Sequence, residues 1–120
     1  MPSTQVCEVH PHDSVLLIAI LKRTLDERSV DQLVDDVHTE AGKRPSIPIV
    51  LDMSQVKFAP SVALGAIVKL SRSFEIDGRR IALIGVDDRI MGTLRVTRLD
   101  SILEIHRSVE DVVSGAKGKR

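Results

Sequence analysis

The segment between Ile47 and Phe74 constrains the fold most, because it indicates a buried strand, a turn and a helix in direct succession. The run from Ile47 to Leu51 is short, apolar and rich in β-branched residues, and Pro48 suits the start of a strand. After the turn, apolar residues recur at the three- and four-residue spacing of one helix face, namely Val62, Leu64, Ile67, Val68 and Phe74. Ser61 precedes them and is predicted to be the N-cap, whose side-chain oxygen accepts a hydrogen bond from the first turn.

The first third of the chain alternates strand and helix patterns without a long linker. Val6 to His10 is predicted to be an edge strand, and Val15 to Leu21 a central strand. A helix follows, with a capping box of Ser29 and Gln32 at its start, and Gly42-Lys43-Arg44-Pro45 is predicted to stop it. Its predicted buried face consists of Val30, Leu33, Val34, Val37 and Ala41.

The last third continues the same alternation. Ile81 to Val86 is predicted to be a buried strand, and Asp87 and Asp88 are predicted to begin a short helix, where acidic residues favour the helix dipole. A strand near Ile102 to His106 precedes a helix that Ser108 begins, with Val109, Val112 and Val113 facing inward. The whole pattern predicts an α/β domain with helices packed on a mostly parallel sheet.

The crossover rule places the candidate functional residues in this fold. Strand–helix–strand units cross over right-handed, so the carboxyl ends of parallel strands share one edge of the sheet. Ligands and functional groups of open α/β sheets lie at that edge. Asp52 and Ser61 are predicted to lie there together.

Composition argues against several classes of partner. With 17 basic and 17 acidic residues and 2% aromatic residues, the chain lacks the charge and the stacking surfaces that nucleic acid or an anionic membrane would require. Cys7 is the only cysteine, so no internal disulfide can form. No signal-peptide pattern begins the sequence, and a cytoplasmic location is therefore predicted. The basic residues of segment 117–120 are predicted to be a frayed tail.

Enzymatic motifs do not occur at the positions where the chemistry would require them. The glycines do not have the spacing of a phosphate-binding loop, which disfavours nucleotide hydrolysis. Ser61 lies between Pro60 and Val62 rather than between the glycines of a nucleophile elbow. His10 and His12 lack a matched second pair of metal ligands. We therefore predict a protein that is not an enzyme and has neither a metal nor a cofactor.

The turn and helix around Ser61 resemble the STAS domains of bacterial anti-sigma-factor antagonists. In that family, a strand ending in Asp or Asn leads through a hydrophobic turn to Asp-Ser-Ser/Thr-Gly-Leu-Gly, and this chain has Pro-Ser-Val-Ala-Leu-Gly at positions 60–65. Ser61 falls on the family's regulatory phosphoserine, and Phe58, Leu64 and Gly65 also match. The departures from the motif are Pro60, Val62 and Ala63. The pair Leu25-Asp26 after the first long strand also matches a common family feature.

The resemblance covers most of the chain and implies the family's fold and function. We expect a STAS fold with a mixed, mostly parallel sheet of four to five strands and about four helices. Residues 1–120 are expected to form a single domain with a core at about 6–116. Similar proteins bind a kinase-type anti-sigma factor while unphosphorylated, and phosphorylation by that kinase ends the contact.

The leading hypothesis is a protein-binding module that phosphorylation of Ser61 switches off. The partner is an anti-sigma factor or related serine kinase, and the fold should tolerate a phosphate at a helix start. The residues expected near the contact surface are Asp26, Asp52, Pro60, Val62 and Leu64, although Val62 could instead belong to the core.

Two alternatives start from the departures in the motif. In the first, the domain is a constitutive scaffold of a stress-signalling assembly that binds other STAS domains or copies of itself, and Ser61 only caps a helix. In the second, the domain binds a small ligand, such as a nucleotide or lipid, in a cleft beside Asp52.

Overall fold

The computed structural model describes residues 5–114, which form a five-stranded mixed sheet and four α-helices. The strands are β1 (Cys7–His10), β2 (Leu16–Ile20), β3 (Ile49–Asp52), β4 (Ile81–Ile84) and β5 (Ile105–His106). The helices are α1 (Glu27–Lys43), α2 (Ser61–Ile76), α3 (Asp88–Val96) and α4 (Val109–Val113), with a short 3-10 helix at Leu99–Ser101. This architecture confirms the predicted fold class. The predicted tail at 117–120, and the end of the predicted core at 116, lie outside the described residues.

The strands lie in the sheet in the same order as in the chain, from β1 to β5. The edge strand β1 is antiparallel to β2, and every later pair is parallel. Because each parallel strand adds on the same side of its predecessor, right-handed crossovers bring α1, α2 and α3 to one face. Strand β2 is interior as predicted, although β3 occupies the centre of the sheet.

Two apolar clusters lie on opposite faces of the sheet. The larger one joins the strands to the buried faces of α1, α2 and α3, and it includes Leu33, Leu51 and Ile67. The smaller one joins the other sheet face to Val112 of α4. Within residues 5–114, no helix combines the length and the apolar character needed to cross a membrane.

The predicted start of α1 was wrong, whereas its predicted end agrees with the structure. Asp26, not Ser29, is the N-cap, and its Oδ1 accepts a hydrogen bond from the backbone N–H of Ser29 at 2.8 Å. Asp and Ser cap helices equally well, so the backbone, which is extended at Asp26, decides between them. At the other end, the helix ends at Lys43 with Arg44 as its C-cap, inside the predicted stop segment, and the left-handed residue is Ser46 with φ 85° rather than Gly42.

The inward face of α4 is narrower than predicted. Ser108 is its N-cap as expected, and it accepts a hydrogen bond from the backbone N–H of Asp111. Val112 is fully buried and Val109 packs against the smaller cluster, but Val113 is 47% exposed. A helix of five residues makes little more than one turn, so it turns only a narrow face toward the sheet.

Candidate functional site

Two loops lie side by side at the carboxyl edge of the sheet. Thr24, after β2, forms a parallel bridge with Phe58, before α2. The backbone N–H of Leu25 donates to the carbonyl of Phe58 at 2.9 Å, and that of Lys57 donates to the carbonyl of Arg23 at 2.7 Å. These bonds hold the start of α1 next to the segment that leads into α2.

Ser61 is the first residue of α2 and not its N-cap, so the predicted capping role was wrong. Pro60 is the N-cap, with φ −65° and ψ 163°, and its side chain makes no capping hydrogen bond. The carbonyl of Pro60 accepts hydrogen bonds from the backbone N–H groups of Ala63 at 2.9 Å and Leu64 at 3.1 Å. Ser61 is exposed, and its hydroxyl makes no hydrogen bond to any other described residue. The hydroxyl therefore stands free at the positive end of a helix.

Val62 and Leu64 point in opposite directions from the first turn of α2. Val62 is 54% exposed, which assigns it to the surface and not to the core. Leu64 is 1% exposed and belongs to the larger core cluster, as its place on the apolar helix face predicted, so it cannot itself be one of the contact residues. Two residues span about 200° around a helix, so they cannot both face the same way. Of the predicted contact residues in this motif, Pro60 and Val62 are accessible.

The two predicted aspartates both hold local backbone in place. Asp26 is exposed, and the hydrogen bond from the backbone of Ser29 lowers the pKa of its carboxyl group. Asp52 ends β3, and its Oδ1 accepts a hydrogen bond from the backbone N–H of Ser54 at 2.9 Å. Each carboxylate therefore has a structural task at the carboxyl edge of the sheet.

Two arginines flank Phe58, and the sequence patterns did not predict them. The side chain of Phe58 is 47% exposed, and its ring centre lies 6.0 Å from the guanidinium carbon of Arg23 and 5.6 Å from that of Arg89. Each such cation–π contact contributes about 0.5–1 kcal/mol at an exposed site. Arg23 follows β2, and Arg89 lies in the first turn of the helix after β4. The sequence does hold a signal for these arginines. Both follow parallel strands, and the carboxyl ends of such strands meet at one edge of the sheet, so the two side chains could have been expected to lie close together.

Gly85, after β4, packs against the turn that follows β3 at this edge of the sheet. It has φ 66°, and a Cβ atom placed on it would lie 3.0 Å from Cβ of Ser54 and 3.1 Å from Oδ1 of Asp52. The turn that Asp52 forms with Ser54 therefore packs directly against the backbone after β4. A side chain at position 85 would push that turn away.

We expect Gly85→Ala to lower the free energy of unfolding by about 1–3 kcal/mol, because a left-handed backbone and a crowded Cβ both oppose alanine. Gly92→Ala is the matched control, since Gly92 lies inside α3 and a Cβ atom added to it would meet no other atom within 4 Å. That control should raise the stability by up to about 1 kcal/mol. Urea unfolding measures both changes, and equal changes in the two variants would contradict this account of Gly85.

Comparison with known families identifies this architecture. The model of the STAS domain matches residues 7–112. The chain belongs to the STAS domain family. It is 30% identical over 71 residues to the TM1081 homologue of Thermotoga neapolitana, whose name places it among the anti-sigma factor antagonists. The match covers 59% of this chain and 63% of that relative, so it spans less than two thirds of the relative's length.

Solved structures show the same STAS fold both as nearly a whole chain and as a small part of a longer chain. The crystal structure of TM1081 from Thermotoga maritima superimposes with a TM-score of 0.75 at 22% identity, over 92% of this chain and 94% of that one. The murine anion transporter Slc26a9 also gives 0.75, at 20% identity over 92% of this chain, but the match covers only 19% of the transporter. At such identities the likeness shows the fold alone.

Proposed function

We propose that this STAS domain acts as an anti-sigma-factor antagonist, a protein-binding module that phosphorylation of Ser61 switches off. The observation that carries the proposal is the free, exposed hydroxyl of Ser61 at the first position of α2. It makes no capping bond, so the fold does not depend on it. Its place in the motif coincides with the phosphoserine of the STAS antagonists that the sequence resembles.

A phosphate on Ser61 would change the surface more than the fold. It adds about −1.5 to −2 charge units and three acceptor oxygens. At the start of α2 the helix dipole and the free N–H groups favour that charge. A partner packed over this helix start would instead meet a hydrated dianion. Phosphorylation would therefore end binding while the domain stays folded.

The neighbours of Ser61 support a partner surface at this position. Pro60 and Val62 on either side are accessible, and Val62 presents 54% of its surface to solvent. The scaffold alternative gave Ser61 a capping role, and Pro60 occupies that position instead. The Thermotoga neapolitana relative is itself named for anti-sigma factor antagonists. We propose an anti-sigma factor or related serine kinase in the cytoplasm as the partner.

The Ser61→Asp variant tests the switch. We expect it to weaken binding to the kinase partner at least tenfold, about 1.4 kcal/mol, while the melting curve stays nearly unchanged. Affinity capture from a lysate of the source organism, with mass spectrometry, identifies the partner, and titration calorimetry then measures its affinity for each variant.

A charge control separates the site from a general effect of added acid. Thr39→Asp places the same charge on an exposed position of α1 and should leave the affinity unchanged. Ser61→Ala should keep the affinity and abolish the transfer of labelled phosphate from ATP by the captured kinase. An unchanged affinity of Ser61→Asp for the kinase, or continued transfer of labelled phosphate to Ser61→Ala, would contradict the proposed switch.

A further inference from the structure

We infer that this domain docks an acidic protein surface on Phe58 and its two flanking arginines. Arg23, Phe58 and Arg89 together are called the Phe58 surface. The partner is a protein with an apolar pocket bordered by Asp or Glu side chains. This inference rests on the proposed function, because it describes the chemistry of the partner that Ser61 would switch.

The aromatic ring at the centre of this surface is both exposed and held in place. The backbone N–H of Phe58 donates to the carbonyl of Arg23 at 3.1 Å, and the carbonyl of Phe58 accepts from Leu25 at 2.9 Å. The two guanidinium groups lie against the ring at 6.0 and 5.6 Å. Such a pre-positioned ring loses little conformational entropy when a partner covers it. Aromatic residues and arginine are enriched at the centres of protein interfaces.

The charges around the ring indicate the sign of the charge on the partner's surface. Neither Arg23 nor Arg89 forms an ion pair with a carboxylate among residues 5–114. By contrast, Nζ of Lys57 in the same loop lies 3.6 Å from Oδ2 of Asp87. Two cations that pair with no carboxylate of the described residues, beside an exposed ring, favour carboxylates on the approaching surface.

A nucleic acid fits this surface less well than a protein does. Aromatic and arginine side chains also bind single-stranded bases, but such proteins surround them with a positively charged groove. Here the exposed carboxylates of Asp26 and Asp88 lie close in sequence to Arg23 and Arg89, and the chain has no net charge. The local charge is mixed, which suits a protein surface with acidic groups at a few positions.

The position of Ser61 links this surface to the switch. Ser61 follows Phe58 by three residues and begins the helix into which that segment leads. A phosphate there would add a dianion to the segment that presents the ring. The dianion would repel the carboxylates of an acidic partner and compete with them for the arginines. Phosphorylation and partner charge would thus act through the same electrostatic contact.

Two synthetic amphipathic helical peptides test the inference on the full chain. Both share one leucine stripe, but one carries glutamates on its polar face and the other carries lysines. Titration of the isotope-labelled protein, followed by NMR, reports both the affinity and the contact site. We expect the glutamate peptide to bind at least about tenfold more tightly, with the largest shifts at Arg23, Phe58 and Arg89.

Three variants separate this surface from general electrostatics. Phe58→Ala should weaken the glutamate peptide at least about fivefold, and Arg89→Glu should reverse the preference between the peptides. Arg95→Glu, at an exposed position of the same helix, should leave the preference unchanged. Equal binding of both peptides, no binding, or no reversal in Arg89→Glu would overturn the inference. Binding of oligothymidylate that depends on Phe58 would overturn it as well.

The peptide titration and the Ser61 test fail independently. The titration contains no kinase and no change at Ser61, so an unchanged affinity in Ser61→Asp would leave the charge preference standing. Conversely, failure of the peptides would leave a phosphorylation switch with a partner of different chemistry.

Discussion

Replacing Arg79 with alanine is expected to lower the free energy of unfolding by about 2–3 kcal/mol, because one guanidinium group joins three separate backbone carbonyls. Its Nε donates to Ile47 at 2.9 Å, its Nη1 donates to Ala41 at 2.7 Å, and its Nη2 donates to Arg44. These hydrogen bonds connect the end of α1 and the loop before β3 to Arg79, which lies just before β4. The positive charge also lies at the carboxyl end of α1, where the helix dipole favours it.

Urea unfolding measures this effect against two matched variants. Arg72→Ala removes an exposed arginine from α2 and should change the stability by no more than about 0.5 kcal/mol. Arg79→Lys should recover only part of the loss, since an ammonium group does not reproduce the planar fork of three donors. Full recovery in Arg79→Lys would show that charge alone matters at this position.

Replacing Glu104 with alanine is expected to cost about 2–3 kcal/mol near neutral pH, because it removes the carboxylate from a partly buried charged network. Arg80 donates to Glu104 through Nε, at 2.8 Å to Oε2, and through Nη2. Nε2 of His106, whose side chain is 2% exposed, lies 2.7 Å from the same carboxylate. The side chain of Glu104 is 21% exposed and that of Arg80 is 32% exposed, so we expect a smaller loss of stability than for a fully buried ion pair.

The same carboxylate gives stability a defined dependence on pH. Partial burial raises the pKa of Glu104, but hydrogen bonds from Arg80 and His106 outweigh this and hold it below its usual value of 4.5. A lowered pKa in the folded state means that the contribution is complete above 4.5 and is lost as the pH falls through the lowered pKa. The stability difference between wild type and Glu104→Ala should therefore shrink in strong acid.

Urea unfolding at about pH 7 and about pH 3 tests this dependence. Glu110→Ala, at an exposed position of α4, is the control, and its stability should differ little from that of the wild type at both pH values. A constant difference between wild type and Glu104→Ala across this range would mean that Glu104 acts through packing and not through its charge.

The order and type of the main elements followed from local patterns in the sequence. The apolar run before Asp52 and the three- and four-residue spacing after Ser61 correspond to β3 and α2. Such periodicity depends only on neighbours along the chain, so it is available before any folding. The same periodicity placed Ser61 at a helix start, the crossover rule placed that start at the carboxyl edge of the sheet, and the family motif matched Ser61 to a phosphoserine.

The helix caps required the backbone itself. Ser61 and Ser29 were both predicted to act at helix starts, and in each case an earlier residue, Pro60 or Asp26, is the N-cap. A shift of one to three residues is invisible to side-chain preference, because several neighbouring residues are acceptable caps. For Ser61 the shift matters to function, since it leaves the hydroxyl free.

Residues far apart in the chain became partners only through the tertiary fold. Arg23 and Phe58 come from two loops and Arg89 from the first turn of α3, and the parallel strands bring all three to one edge. Arg79 and Arg80 each bond residues 24 to 38 positions away. The sequence by itself therefore determined the elements, their order and the family, because those depend on local periodicity and a short motif. The partners of each arginine were decided by the sheet, because its strand order alone sets which distant loops meet.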